Sequence, residues 1–245
     1  MVEPNTVRRI AELAAVGAGD RVVEIGPGLG SLTIALADAG ASVTAVEIDD
    51  VLVEVLAETT AGRDVTVLHA DAMAVDWESL LGGLKWTLVA NLPYNISVPL
   101  ICDLLDDVPG IDRMLVMVQK EVAERLVAVP GDDAYGLPSV KVAYHARARI
   151  VGRVPPSAFL PRPRVDSALV ELRRLEVKAV SVEPDLLFRL VRAGFGQRRK
   201  MLRRSLVGLA GAEAFEVSGV APTARAEELT LNEWAALVEA LAVIG

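Results

Sequence analysis

Cysteine is nearly absent. One residue, Cys102, in a chain of 245 cannot close an internal disulfide. That excludes a disulfide-stapled scaffold and points to a reducing compartment. Histidine is almost as scarce. His69 and His145, with the one cysteine, give no zinc-ligand cluster, so no metal is expected. No uncharged apolar run reaches about 18 residues, so no segment is expected to span a membrane. The opening Met1-Val2-Glu3-Pro4 has none of the pattern of a signal peptide. A cytoplasmic monomer is the expectation. Internal repeats and low-complexity stretches are missing too. What remains is globular: 52% hydrophobic and 24% charged residues suffice for a full core.

Positive charge is short overall but unevenly placed. A net charge of -8 argues against a non-specific nucleic-acid coat. Between Lys141 and Ser205, however, sixteen Lys and Arg meet five Asp and Glu, a local net of +11; the rest of the chain is net -19. An acidic protein with one strongly basic segment is read as carrying a local anion-binding face. The alternative is a solvated surface with chance clustering.

Short apolar runs alternate with helical patterns through the first half. Helical spacing runs from Glu3 to Val16. Strands are expected at residues 21–25, 42–47, 65–68, 86–90 and 114–118. Ser31 and Asp49 stand where helix caps belong. This order predicts an α/β protein with a parallel, doubly wound sheet. Glu24 with its glycines, Glu47, Asp71 and Asn91 then fall at strand C-terminal ends, along one edge of the sheet. Ligands bind at that edge in open α/β folds. Residues 148–154 and 167–173 read as two further strands flanking the proline-rich stretch 155–163, a hairpin-like edge joined by a stiff loop. From about Val180 the chain reads as helical, with helices over 184–195, 198–209 and 231–243.

The glycine turn Gly26-Pro27-Gly28-Leu29-Gly30 departs from a dinucleotide fingerprint, because its third glycine comes one residue early. Glu24 precedes it by two residues. A carboxylate facing a pyrophosphate is unfavourable, whereas beside an ammonium and a sulfonium it is acceptable. S-adenosylmethionine carries both. Glu47 can then accept the ribose hydroxyls and Asp71 the adenine amine, with Ile48 and Ala72 beside them. Asn91-Leu92-Pro93-Tyr94-Asn95 ends the fourth strand. The Asn91 side-chain oxygen and the Leu92 carbonyl can accept the two hydrogens of an aromatic amine, and Tyr94 can stack on its ring. An Asx turn with a core tyrosine is the competing reading of this motif.

These stretches resemble the ribosomal RNA adenine dimethyltransferase family, above all its small-subunit members. The resemblance rests on residues 23–32, 45–49, Asp71-Ala72, 91–97, 119–126, Tyr135-Gly136, 155–167 and 195–206. It implies a Rossmann-like class I methyltransferase sheet with a small all-α C-terminal domain. It also implies dimethylation of two adjacent adenosines near the small-subunit rRNA 3′ end, within a pre-small-subunit particle, using S-adenosylmethionine. Gly26, Glu47, Asp71 and Asn91 are then cofactor residues. Asn91, Leu92 and Tyr94 meet the target amine. Phe159 lines the pocket near the target adenine, unless it is only a core plug. Gln197-Arg198-Arg199-Lys200, with Arg203 and Arg204, opens a helix whose charges neutralise phosphates. Arg147, Arg149, Arg153, Arg162 and Arg164 extend that surface.

The expected domains are 1–177, binding the cofactor, and 178–245, binding rRNA. Family members usually carry a Gly-Gln-Asn-Phe segment before the first helix; here Met1-Val2-Glu3 runs straight into Pro4, and weaker cofactor binding is expected. Three other functions compete. A large-subunit adenine methyltransferase of the macrolide-resistance type is disfavoured by the matches around Gln119 and Phe195. A non-catalytic rRNA-binding assembly factor is disfavoured by intact Glu47, Asp71, Asn91 and Tyr94. A small-molecule methyltransferase leaves the basic segment unexplained.

Overall fold

The computed structural model describes residues 3–244. The expectation about the segment ahead of the first helix falls on Met1 and Val2, outside those residues. The chain divides into two units, one of residues 3–123 and 148–174, the other of 124–147 and 175–244.

The first unit is built on strands Arg21–Ile25 (β1), Ser42–Glu47 (β2), Val65–His69 (β3), Trp86–Asn91 (β4), Ile111–Gln119 (β5), Ala146–Val154 (β6) and Ser167–Arg174 (β7). They form one sheet in the order β3-β2-β1-β4-β5-β7-β6. The first five run parallel to one another. Helices Pro4–Ala14 (α1), Ser31–Asp38 (α2), Asp50–Thr59 (α3), Trp77–Leu81 (α4), Ser97–Asp107 (α5) and Lys120–Val127 (α6) connect or follow them. The expected parallel sheet is found in the first five strands; beyond them, β7 runs antiparallel to β5, with Ser167 opposite Gln119 and Arg173 opposite Arg113. β7 starts beside the end of β5, so it has to run back down the sheet.

Apolar faces decide the packing. Ile10 and Ala14 of α1 and Leu32 and Leu36 of α2 meet Val22, Val89, Leu115, Met117 and Leu169 of the sheet. Each such large side chain contributes roughly 1.5–3 kcal/mol on burial. Asp49 caps α3 as expected, accepting from the amides of Val51 at 2.9 Å and Leu52 at 3.0 Å. Ser31 does not cap α2. Gly30 holds the cap position at φ 82, and a Cβ there would lie 2.7 Å from Leu56 Cδ1. Only glycine fits that backbone and that space.

A buried carboxylate joins the three edge strands. Glu171 of β7 is 4% exposed. It accepts from Arg113 of β5 at 3.0 Å, Arg149 of β6 at 2.7 Å and Arg173 at 2.9 Å. Arg113 Nη2 also donates to the Leu13 carbonyl at 2.8 Å, near the end of α1. Burial alone would raise the Glu171 pKa, but hydrogen bonds from Arg173 and Arg149 and the nearby guanidinium charges bring it down to about 2. Arg149 thereby has an acidic partner, while its side chain stays 71% exposed at the surface.

In the second unit, Leu137–His145 (α7), Pro184–Gly196 (α8), Leu202–Ser205 (α9), Ala212–Ser218 (α10) and Leu231–Ile244 (α11) surround Trp234, Leu187, Leu190 and Val191. Tyr135 and Tyr144 donate to the carbonyls of Leu229 at 2.9 Å and Val182 at 3.0 Å. These long-range bonds explain why 124–147 groups with the helices, although the sequence reading placed the boundary only after 177. The helix expected over 198–209 narrows to α9. Ahead of it the chain turns, with the Lys200 amide donating to the Gln197 carbonyl at 2.8 Å.

Glu171→Gln leaves Arg113 without its charge partner and should cost about 3 kcal/mol at pH 7. The Glu171 pKa is depressed in the fold, so its contribution is present above the unfolded value of about 4.5 and is lost as pH falls towards 2. Chemical denaturation of both proteins at pH 7 and pH 2 should show the gap closing in acid.

Candidate active site

The turn after β1 has every glycine in the left-handed region, with φ 67 at Gly26, 58 at Gly28 and 82 at Gly30. It is stitched to β2. The Gly26 amide donates to the Val46 carbonyl at 3.0 Å, and the Gly28 amide to Glu47 Oε2 at 3.1 Å. Glu47 Oε1 accepts from the amides of Ile48 at 2.9 Å and Asp49 at 3.2 Å. The Glu47 carboxylate therefore organises the β1 turn and the β2 end together. Ile48 is 62% exposed beside it, a flat apolar surface at the rim. The end of β3 joins the same edge: the Ala70 amide donates to the Glu47 carbonyl at 2.9 Å, and His69 Nε2 sits 3.2 Å from the Ile48 carbonyl. Asp71 is exposed and caps a turn through the Met73 amide at 2.9 Å; Ala72 is buried.

Glu24 is the anomaly of this edge. It is 2% exposed, and its Oε2 has no hydrogen-bond partner among the described residues. Thr33 Oγ1, also buried, has none either. Burial pushes the Glu24 carboxyl up to about 8; the Thr33 side chain opposes the rise and the Glu47 charge adds to it.

Beside the glycine turn lies the end of β4. A Cβ on Gly26 would stand 3.7 Å from Pro93 Cδ. Gly26, Asn91, Leu92, Pro93 and Tyr94 line a cavity of about 350 Å³ with Phe159, Pro161 and Pro163. Asn91 is partly exposed, and its side chain has no hydrogen bond to any described residue. The Leu92 amide is spent on the Met117 carbonyl at 3.1 Å. Tyr94 is held at both ends. Its carbonyl accepts from Ser97 Oγ at 3.2 Å, and its hydroxyl lies 3.2 Å from Ser167 Oγ. Phe159 does both things its two readings ask: it lines this cavity and packs against the core beneath it.

Arg162 and Arg164 are exposed on the loop that carries Phe159. In the second unit Arg199, Lys200, Arg203 and Arg204 are exposed. Arg198 is not available in the same way: it pairs with Glu227 and donates to the Asp133 carbonyl at 2.8 Å. Ser167 and Thr33 escaped the sequence reading. Both sit in apolar patterns, and nothing local marks their hydroxyls.

A sheet of this order with a glycine turn and acids at its strand ends defines a class I methyltransferase. The family model "Ribosomal RNA adenine dimethylase" matches residues 1–243. The chain is 47% identical to the ribosomal RNA small subunit methyltransferase A of Cutibacterium acnes, over 99% of this chain and 86% of that one. It is 49% identical to the protein of that name from Streptomyces coelicolor, over 98% and 87%. Among solved structures, a dimethyladenosine transferase from Plasmodium falciparum superposes with a TM-score of 0.83 at 25% identity, over 99% of this chain and 97% of that one. The 23S rRNA methyltransferase ErmE superposes at 0.73 and 27% identity, over 97% of both. The chain belongs to the ribosomal RNA adenine dimethylase family and is an enzyme.

The raised Glu24 pKa has a stability consequence. The folded state keeps a proton that the unfolded chain releases above about 4.5, so stability falls as pH rises from there to about 8. Glu24→Gln removes that loss. Its unfolding free energy should match the wild type near pH 4.5 and exceed it above pH 8 by several kcal/mol, at about 1.4 per pKa unit. Urea titrations at both pH values measure this.

Proposed function

We propose that this enzyme transfers methyl groups from S-adenosylmethionine to the exocyclic amines of two adjacent adenosines near the 3′ end of small-subunit rRNA, in the cytoplasm and during small-subunit maturation. The observation that carries the reading is the meeting, at one sheet edge, of the glycine turn, Glu24 and Glu47 with the Asn91–Tyr94 cavity. The small-subunit assignment is favoured over the large-subunit one because the curated relatives at 43–49% identity carry the small-subunit name.

The residues present suit the cofactor. Glu24 offers an orphaned carboxyl oxygen, and an ammonium brought beside it satisfies that oxygen and favours the ionised form. A carboxylate has about four acceptor positions. Glu47 has filled three with backbone amides, so one remains for a ribose hydroxyl, and a second hydroxyl enters only by displacing the Gly28 amide. Ile48 and Ala72 supply apolar surface for the adenine, and Asp71 an acceptor for its amine. When bound, S-adenosylmethionine supplies an electrophilic methyl on sulfur.

The chain's own work is to prepare the nucleophile. An adenine amine is a weak one, because its lone pair is delocalised into the ring. The Asn91 side-chain oxygen and the Leu92 carbonyl each accept one amine hydrogen, which turns the lone pair out of conjugation and aims it. Tyr94 and Phe159 hold the base between their faces. The proton leaves the nitrogen after transfer, when it has become acidic, so positioning carries the rate and no strong base is required. Arg162 and Arg164 in the first unit, and Arg199, Lys200, Arg203 and Arg204 in the second, neutralise rRNA phosphates without reading sequence.

Labelled cofactor, offered with immature small subunits or with naked large-subunit rRNA, tests the assignment. Paired dimethyladenosines in the small subunit are expected by mass mapping; methylation confined to the large-subunit RNA would overturn it. Asn91→Ala should reduce transfer by at least about 100-fold, the scale of losing a transition-state contact, while the thermal unfolding midpoint stays near that of the wild type. Near-normal turnover in this variant would remove Asn91 from the mechanism.

A further inference from the structure

Tyr94 is the one ring of the target cavity that also makes a side-chain hydrogen bond among the described residues. Its hydroxyl lies 3.2 Å from the hydroxyl of Ser167, 73 residues later in the chain. Ser167 is 1% exposed and opens β7 opposite Gln119 of β5. Its place is fixed by the ladder on one side and by the neighbouring bond from the Lys120 amide to the Asp166 carbonyl at 3.0 Å. Ser97, fully buried, holds the Tyr94 carbonyl at 3.2 Å. Tyr94 itself is 36% exposed, so packing alone does not fix its ring.

We propose that Ser167 is a positioning residue for methyl transfer, anchoring the Tyr94 hydroxyl so that the ring presents one fixed face to the target base. The proposal rests on the function proposed above. A tyrosine fixed at its backbone and at its hydroxyl has lost both ring torsions before the base arrives. The stacking surface is therefore preorganised, and the base gives up less freedom in reaching an attack geometry. This also gives a chemical reason for tyrosine rather than phenylalanine at 94: the ring supplies the face and the hydroxyl supplies the tether. Ser167 touches neither base nor cofactor; it acts through Tyr94. The antiparallel strand that distinguishes this sheet from a fully parallel one is what delivers the anchor: its first residue, Ser167, pairs with Gln119, just beyond the Met117 that pairs with Asn91 at the end of β4.

The test combines a resonance with a double-mutant cycle. The chain has three tyrosines, Tyr94, Tyr135 and Tyr144. Tyr135 and Tyr144 donate to carbonyls of the helical unit and serve as internal controls. In fluorotyrosine-labelled protein, Ser167→Ala should move and broaden the Tyr94 fluorine line while the other two stay. It should lower kcat by about three- to ten-fold, the scale of one net hydrogen bond, with cofactor Kd unchanged. Tyr94→Phe should lose a similar factor, and the double variant no more than either alone. Ser167→Thr, which keeps the hydroxyl, should restore both the line and the rate. An unchanged Tyr94 line in Ser167→Ala, or losses that multiply in the double variant, would overturn the anchor. Wild-type enzyme that leaves small-subunit adenosines unmodified, while its Tyr94 line still responds to Ser167→Ala, would instead overturn the proposed reaction and keep the anchor.

Discussion

Everything at the functional edge hangs from the Glu47 carboxylate. Three backbone amides, from Gly28, Ile48 and Asp49, point at its two oxygens. Charge-assisted bonds of this kind are about twice as strong as neutral ones. They tie the turn after β1 to the end of β2 and the start of α3, and the Ala70 amide adds the end of β3. The turn cannot be placed otherwise, because Gly30 packs against Leu56 of α3 with no room for a Cβ. The carboxylate thus joins the β1 turn to the end of β2, and the backbone carbonyl of the same residue adds the end of β3. The same acid then has one acceptor position left for a ligand.

Glu24 shows the opposite economy. A carboxyl with a buried and unpartnered oxygen is a standing loss to the ligand-free fold. Proteins tolerate such a loss where the group is held for a partner that arrives later. Its neighbours agree with that reading. Glu47 adds negative charge nearby, Thr33 brings a hydroxyl but no charge, and no basic residue among those described satisfies it. On the proposed function, a cation brought from outside the chain favours the ionised form of Glu24. Apolar replacement at 24 would stabilise the sheet and remove that unpartnered oxygen.

Local chemistry was legible in the sequence and long-range pairing was not. The alternation of runs gave the strands, and the polar residue closing each run gave Glu24, Glu47, Asp71 and Asn91 with no structure in view. Asp49 was readable as a cap because a cap acts two or three residues away. Ser31 does not cap because the helix starts on it, and the cap position falls one residue earlier, on Gly30. The pairing of β7 with β5, the Arg113–Glu171 bond and the bond from Tyr94 to Ser167 all join residues 48 to 73 positions apart. Nothing in a run of five or ten residues carries them. The segment 124–147 was assigned to the sheet domain for the same reason, since Tyr135 and Tyr144 find their acceptors only in the folded helical unit.

The basic segment shows how far composition can be trusted. Its net charge of +11 was read as a face for phosphates. Part of that charge is already engaged within the chain. Arg149 and Arg173 pair with Glu171. Arg174 donates to the carbonyls of Leu104, Leu105, Val108 and Ile111, closing the C-terminal end of α5. Arg198 is tied to Glu227 and Asp133, and Lys141 is buried over the Phe188 ring at 5.2 Å. A guanidinium is suited to this inward work, because its fork satisfies several acceptors at once and tolerates partial burial. Arginine enrichment therefore has two causes in one segment: closing helix ends and pairing a buried acid, and meeting an anion from outside. Arg162 and Arg164 on the Phe159 loop and Arg199, Lys200, Arg203 and Arg204 around α9 are exposed with no acid paired to them among the described residues, and on the proposed function these release counterions from RNA. The salt dependence of binding should follow that smaller number, not the count read from the sequence.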